Sequence, residues 1–151
     1  MAEVRFVRAA RNKGLHVTKS THTEDMHDHI DYWLAMSDLG KRWGVDVKGN
    51  NLPDEIWVEF KNVRGDEGWL YGGANIIAFD MPEEGGFSIV DRHELAFFCE
   101  KHVRDEVVDH KKDAYLKKYT RKDRQDVISI LKLHDIKNLM SYRVWEYDQR
   151  Y

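Results

Sequence analysis

Two short apolar stretches of the chain each carry an acidic residue followed two positions later by a lysine. In "VDVKG" these residues are Asp46 and Lys48, and in "WVEFKN" they are Glu59 and Lys61. Side chains on a β-strand alternate between its two faces, so each acid would share a face with its lysine. Such a pair is either a surface ion pair on an ordinary strand or part of a metal-dependent active site.

A third acidic residue, Asp31 in "HIDYWL", lies on the predicted strand before "VDVKG". Paired residues on neighbouring antiparallel strands lie roughly 4.5–5.5 Å apart, so carboxylates from two strands can chelate one hard cation. Mg²⁺ usually takes one or two protein carboxylates, with water and phosphate oxygens completing its shell. A lysine on the same face can orient the attacking water or offset charge on the phosphate. The combination predicts phosphodiester hydrolysis assisted by Mg²⁺ or Mn²⁺, with Asp31, Asp46 and Glu59 as candidate ligands.

The stretches "HID" and "VDVKG" together resemble the motif of the PD-(D/E)xK nucleases, the restriction-endonuclease-like superfamily. Members share an α-β-β-β-α-β core, with the first acid on one strand and the (D/E)xK on the next. The resemblance implies that Asp31 and Asp46 are metal ligands and that Lys48 is the catalytic lysine. A glutamate on the first helix often completes the site in this family, and Glu3 is the candidate here. The chain departs from the literal motif at Ile30, which replaces the proline.

A second pairing within the same motif stays open. Asp46 and Glu59 are 13 residues apart, against 15 for Asp31 and Asp46, so Glu59 and Lys61 could form the acid-x-Lys instead. The earlier pairing is preferred because "VDVKG" ends in glycine, as the lysine strand of the family often does. Glu59 would then flank the site from the next strand and add a further ligand.

A longer resemblance supports the same superfamily. "WVEFKNVRGDEGWLYGGANIIAFDMP", with the later "YTRKDRQDVISI", is similar to small phage-type proteins of this group, and with the motif it covers most of residues 20–130. It implies a small DNA endonuclease of a phage or mobile element that acts in the cytoplasm, the host's if the protein is phage-encoded. Many nucleases of this type act as dimers, so a homodimer is a possible partner arrangement.

The charge distribution is uneven along the chain. The net charge is −3 overall, yet residues 101–151 carry 13 basic and 9 acidic residues, and the stretch 111–124 holds seven basic residues against two acidic ones. An acidic body with a basic edge suits an enzyme that holds cations and grips a polyanion such as DNA. A solvated helix face explains the same charge run. The candidate phosphate contacts are Lys117, Lys118, Arg121, Lys122 and Arg124.

Other functions also fit parts of the sequence. On an extended chain His27, His29 and Asp31 would share one face, and imidazole with carboxylate suits zinc or iron. A nuclease fold without cleavage activity, binding DNA or a protein as a phage module, is a further alternative. The glycine-rich "GDEGWLYGGAN" matches no phosphate-binding loop, and its Trp69 and Tyr71 would be core residues or would stack on a base.

The elements that must position these residues follow from hydrophobic periodicity. "EVRFVRAARNKG" predicts a helix ending at Gly14, "THTEDMHDH" a loop or single turn, and "RHELAFFCEKHVRDEVV" a second helix. "DVISILKLHDIKNL" predicts a strand or turn that runs into a helical turn. Strands are predicted in "LHVTKST", "IDYWLAM", "RWGVDVKG", "EIWVEFKNV", "NIIAFDM" and "FSIVD". This order predicts an α+β (mixed α/β) fold with one central mixed sheet flanked by helices.

Bulk properties set the remaining expectations. A chain of 151 residues with 42% hydrophobic and 34% charged residues predicts one globular domain, 1–151, with a basic C-terminal segment over 111–151. No apolar run is long enough to span a membrane, and the first residues lack a signal-peptide pattern. The lone Cys99 lies in an apolar helical pattern and is expected to be an inert packed thiol.

Overall fold

The chain folds into two β-sheets with helices packed around them. A computed structural model describes residues 1–38 and 40–149; residue 39 and the last two residues of the predicted basic segment lie outside the described residues. The described part holds four α-helices and ten strands. In chain order they are α1 (Ala2–Asn12), β1 (His16–Lys19), α2 (His22–Asp28), β2 (Tyr32–Ala35), β3 (Arg42–Lys48), β4 (Ile56–Lys61), β5 (Ile76–Met81), β6 (Gly86–Asp91), α3 (Arg92–His102), β7 (Arg104–Val108), β8 (Lys117–Tyr119), β9 (Val127–Leu131), α4 (Leu133–Lys137) and β10 (Arg143–Glu146).

The larger sheet has the strand order β1-β2-β3-β5-β6-β10, and the smaller sheet has the order β4-β9-β8-β7. In the larger sheet, β1, β2 and β3 form an antiparallel meander, and β3 then pairs in parallel with β5. Both sheets are mixed, since β7 and β8 of the smaller sheet are also parallel. The predicted α+β class is therefore confirmed, whereas the prediction of one central sheet is wrong.

Helix α1 covers one face of the larger sheet. Phe6, Ala9 and Ala10 recur at helical spacing and are buried against apolar residues of the strands, including Val45 and Phe87. The chain leaves the helix through Gly14, whose φ of +84° is a left-handed conformation that glycine adopts without strain. The predicted first helix is thus confirmed, and it fixes the face of β3 that turns away from the candidate acids.

The sequence-based prediction placed β4 beside β3, and in the structure the two strands do not pair. The buried β4 residues Ile56, Val58 and Phe60 alternate as expected and join the core cluster that also contains Phe79 and Leu131. The partner of β4 is β9, with Ile56 opposite Leu131. Because β5 occupies the free edge of β3, the intervening chain carries β4 into the second sheet.

Three further segments differ from the sequence-based predictions. The polar stretch expected to be a loop or single turn forms α2, which begins with a capping box between Thr21 and Glu24. The second predicted helix stops at His102, because the β-branched valines that follow form β7 and pair with β8. The basic stretch 111–124 contains β8 and turns rather than a helix face. In the described residues no helix is long and apolar enough to cross a membrane.

Candidate active site

Asp31 is attached directly to the strand that carries the other two motif residues. It immediately precedes β2, and its backbone N–H donates to the carbonyl of Val45 over 2.8 Å. Its side-chain Oδ2 accepts a hydrogen bond from the backbone N–H of Val47 over 2.7 Å. Val47 is the neighbour of Asp46 in β3, and the Asp31 carboxylate is close enough to Asp46 to raise its pKa.

Asp46 and Lys48 share one face of β3, as the alternation predicted. Val45 and Val47 pack in the cluster beneath α1, so Asp46 and Lys48 point to the opposite side of the sheet. Lys48 Nζ lies 3.1 Å from Asp46 Oδ2, and the Asp46 residue is only 4% exposed. Apart from this ion pair, Oδ2 has no hydrogen-bond partner among the described residues.

The two carboxylates hold more negative charge than their surroundings compensate. Burial raises the pKa of Asp46 to about 7; Lys48 opposes this rise and the Asp31 carboxylate adds to it. Burial also raises the pKa of Asp31, where the hydrogen bond from Val47 acts in the opposite direction. A buried carboxylate beside a partly buried one is an environment that a cation would stabilise.

Two more acids approach Asp31 from the helices. Glu3, in the first turn of α1, and Asp25, in the first turn of α2, both raise the pKa of Asp31 by their negative charge. Glu3 also accepts a hydrogen bond from Lys19 Nζ over 3.3 Å. The structure therefore brings the sequence candidate Glu3 toward the site. Sequence analysis missed Asp25, and the Thr21–Glu24 capping box is the signal that could have placed it on a helix.

Trp69 forms the wall on the Lys48 side of the site. It lies in a single 3₁₀ turn, Trp69–Tyr71, and Lys48 Nζ lies 4.6 Å from the centroid of its ring. The backbone N–H of Trp69 donates to Glu59 Oε1 over 3.3 Å. Gly68 makes this approach possible, because a Cβ atom there would lie 2.4 Å from the carbonyl oxygen of Glu59.

Glu59 reaches the neighbourhood of the site from the edge strand of the smaller sheet. His29 lies between the two charges: burial and Lys48 lower its pKa, while Glu59 opposes both. One carboxylate oxygen of Glu59 is already engaged by Trp69. The second acid-x-Lys does not repeat the first, because a bulge separates Glu59 from Lys61 and Lys61 is exposed. Of the two acid-x-Lys pairs, only Asp46 and Lys48 therefore lie beside Asp31 on a regular strand.

The side chains available as metal ligands indicate which metal ion the site could hold. Residues 1–38 and 40–149 contain no group of three or more His, Cys, Asp or Glu side chains arranged to hold a metal ion. Asp31 and Asp46 alone fit Mg²⁺, which needs only one or two protein carboxylates. The extended chain that would align His27 with His29 and Asp31 is not formed, because His27 lies in α2 and His29 caps that helix in a left-handed conformation.

The basic candidates divide into paired and unpaired side chains. Arg121 donates to the buried carboxylate of Asp126, and Arg124 Nε lies 4.0 Å from the same residue. The side chain of Lys117 pairs with Glu106 at 3.0 Å. Lys118 Nζ lies 4.2 Å from the ring centroid of Phe60, and Lys122 is exposed.

Comparison of the chain with models of known protein families, with functionally characterised proteins and with solved structures gives no match.

Proposed function

We propose that the protein is a Mg²⁺-dependent DNA nuclease of the PD-(D/E)xK type. The observation that carries the proposal is the buried Asp46 carboxylate, flanked by the Asp31 carboxylate on one side and by the Lys48 ammonium, 3.1 Å from its Oδ2, on the other. The element order supports it as well. Helix α1 precedes three antiparallel strands, with α2 inserted between the first and the second, Asp31 just before the second, and Asp46 and Lys48 on the third.

Asp31 and Asp46 would hold the cation in this reaction. When bound, Mg²⁺ polarises the scissile phosphate and lowers the pKa of a coordinated water. The hydrogen bond from the Val47 amide fixes the position of the Asp31 carboxylate. Asp46 contributes a buried carboxylate whose Oδ2 contacts only the Lys48 ammonium among the described cations.

Lys48 supplies the positive charge on the other side of the phosphate. Its side chain is 26% exposed, so the ammonium is reachable from solvent while its position is set by Asp46 and the Trp69 ring. An ammonium in this place stabilises negative charge that builds up on the phosphate oxygens in the transition state, or orients the attacking water. The basic residues of 111–124 that remain unpaired would add phosphate contacts without reading sequence.

The experiment that tests this function is a cleavage assay on purified protein. Supercoiled plasmid, linear duplex and single-stranded DNA are each incubated with Mg²⁺, Mn²⁺ or EDTA. Cutting that requires the metal and is lost in Asp46→Ala and Lys48→Ala would support a nuclease. Lys61→Ala separates the two acid-x-Lys pairings, because only the later pairing predicts that this variant loses cleavage.

DNA binding of the same variants is measured in EDTA, with folding checked by circular dichroism. Lys48→Ala is expected to lose cleavage with little loss of binding, since the lysine acts mainly on charge that develops in the reaction. Full activity in Lys48→Ala would overturn the assignment. The absence of cutting on every substrate by a folded wild-type protein would also overturn it, and would favour the alternative of a DNA- or protein-binding module.

A further inference from the structure

A cleft of about 310 Å³ opens beside Lys48, outside the pair of carboxylates. Its walls are the loop 49–52 and the side chains of Lys48, Trp57 and Trp69. The loop is braced, because Asn51 Nδ2 donates to the carbonyls of Lys48 over 2.8 Å and Asp80 over 3.0 Å. The cleft is at the lower end of the size range of ligand pockets, so it suits a flat group such as a single base and excludes a duplex.

The two tryptophan rings are held in place before any ligand arrives. Trp57 Nε1 donates to Glu55 Oε1 over 2.9 Å, and its ring meets Tyr119 edge-on at a centroid distance of 6.2 Å. Trp69 meets Phe79 in a similar way at 6.0 Å. Trp57 is only partly buried and points to the opposite face of β4 from its fully buried neighbours Ile56 and Val58. It is therefore an aromatic surface that faces the cleft, and core packing does not account for it.

Cations accompany these rings from Lys48 toward β8. Lys111 Nζ lies 5.7 Å from the centroid of Trp57. The Arg121 guanidinium lies 5.8 Å from the centroid of Tyr119, but it also donates to the buried Asp126 and so offers a phosphate less charge than an unpaired arginine would. The nearby carboxylate of Glu55 is already shared between Trp57 Nε1 and Lys111 Nζ. Alternating aromatic faces and cations are the features that bind unpaired nucleic acid, because bases stack on the rings and phosphates meet the charges.

We propose that this cleft binds an unpaired base adjacent to the phosphate held at Asp46 and Lys48. The inference rests on the proposed nuclease function and narrows its substrate class to single-stranded DNA, or to DNA with an unpaired stretch beside the cut. Trp57 provides the stacking surface, and Trp69 with the Lys48 ammonium forms the far wall of the cleft. An intact duplex would need to expose a base before it could fill the cleft.

The test compares an oligo-dT strand with a strand of the same length in which every base is missing. Both carry the same phosphates, so the ratio of their affinities isolates the contribution of the bases. Binding is measured by fluorescence anisotropy in EDTA for the wild-type protein, Trp57→Ala and Trp57→Phe. Trp43→Ala is the matched control, because Trp43 is a partly buried tryptophan at the opposite end of β3.

The wild-type protein is expected to bind the oligo-dT strand roughly 5- to 100-fold more tightly than the abasic strand. Trp57→Ala is expected to remove most of this preference, whereas Trp57→Phe retains much of it because phenylalanine still offers a stacking face. Trp57→Phe should also lose part of the quenching of intrinsic tryptophan fluorescence that oligo-dT causes. Trp43→Ala should keep the wild-type preference.

The proposal is overturned if the wild-type protein binds both strands equally or binds neither. It is also overturned if Trp57→Ala keeps the wild-type preference, or if Trp57→Phe loses it as fully as the alanine variant. These measurements exclude divalent metal and so do not depend on cutting. A protein that cuts DNA but shows no base preference keeps the nuclease function, and one that shows the preference without cutting loses only that function.

Discussion

The carboxylate of Asp31 accepts a hydrogen bond from the backbone N–H of Val47 over 2.7 Å, so the first acid of the site is fastened to the middle of the strand that bears the second. The donor is a backbone N–H in a paired strand, so its position is fixed, and the bond in turn restricts rotation of the Asp31 side chain. It holds the partly buried Asp31 carboxylate close to the buried Asp46 carboxylate, where burial and, at Asp46, the charge of Asp31 make ionisation costly in the metal-free protein.

Asp46→Asn should therefore stabilise the metal-free protein at alkaline pH. Because the pKa of Asp46 is about 7 in the folded state and near 3.8 in the unfolded chain, the folded state retains a proton between these values that the unfolded chain has released. Stability consequently falls as the pH rises through this window, and the neutral asparagine avoids the loss. The variant should gain roughly 3 kcal/mol over wild type at about pH 8 and little at about pH 4.

Urea unfolding in EDTA across this pH range measures the difference. Asp109→Asn, an exposed carboxylate in a turn, is the control and should follow the wild-type curve. If Asp46→Asn lost stability relative to wild type as the pH rises, the pKa of Asp46 could not be raised in the folded state.

Mg²⁺ should offset part of this penalty in the wild-type protein. A ligand that binds only the folded state at about ten times its Kd adds about 1.4 kcal/mol, which corresponds to a rise in Tm of about 3–6 °C for a chain of this size. The rise, measured by thermal melts at matched ionic strength, should vanish in Asp31→Asn and Asp46→Asn. Glu59→Gln should keep it, because the Glu59 carboxylate is engaged by the Trp69 amide. Loss of the shift in Glu59→Gln would make Glu59 a third ligand.

Gly68→Ala should destabilise the wall of the cleft. The added Cβ would lie 2.4 Å from the carbonyl oxygen of Glu59 and 2.8 Å from its carbonyl carbon, and backbone atoms of a paired strand cannot easily move aside. The expected loss is about 1–3 kcal/mol, as for other overpacked sites, measured by urea unfolding. Gly85→Ala is a useful comparison, since its Cβ meets nothing within 4 Å and only its φ of +74° is unfavourable. Equal stability of Gly68→Ala and wild type would contradict the close approach.

Arg121 and Lys122 should behave differently although both are basic neighbours. Arg121→Ala leaves the buried Asp126 without its main partner, because Arg124 lies farther away at 4.0 Å, and this should cost about 3 kcal/mol. Lys122→Ala should change stability by less than about 0.5 kcal/mol. If Lys122 contacts a phosphate, its loss should lower the log–log slope of the salt dependence of binding by about 0.7 on single-stranded DNA and by about 0.9 on duplex DNA. Unfolding and binding titrations distinguish these effects, and the reverse pattern would exchange the two roles.

The convergence of Asp31, Asp46 and Lys48 could be predicted because it depends on local rules. Alternation on β3 and antiparallel pairing with β2 are enough to bring the three side chains together. The place of Glu59 could not be predicted in the same way. The alternation of β4 correctly identified its buried face, but two sheets can bury the same pattern, and only the distant partner β9 decides between them.

Other differences have equally physical causes. Helix α2 carries no buried residue, so it left no apolar periodicity to detect, and its capping box was the only local signal. The residues of β7 are mostly polar, like the exposed residues of α3, so the sequence did not separate the two elements. The strand conformation of β7 depends on its pairing with β8. The sequence did not identify Trp57 as a functional residue. Alternation along β4 placed its side chain on the face opposite to Ile56, but gave no sign that a cleft lies on that face.

The partnership of β4 with β9 also sets an order of events during synthesis on the ribosome. β2 and β3 can pair as soon as both have emerged, and with them Asp31 meets Val47. Trp57, however, lies opposite Ile130, so its strand has no partner until that late segment is made. Since chains fold from the N-terminal side as they emerge, we expect the two carboxylates to meet in the nascent chain while the aromatic cleft is still open. A chain released before β9 is made would thus contain the two carboxylates but not the positioned Trp57 ring beside them.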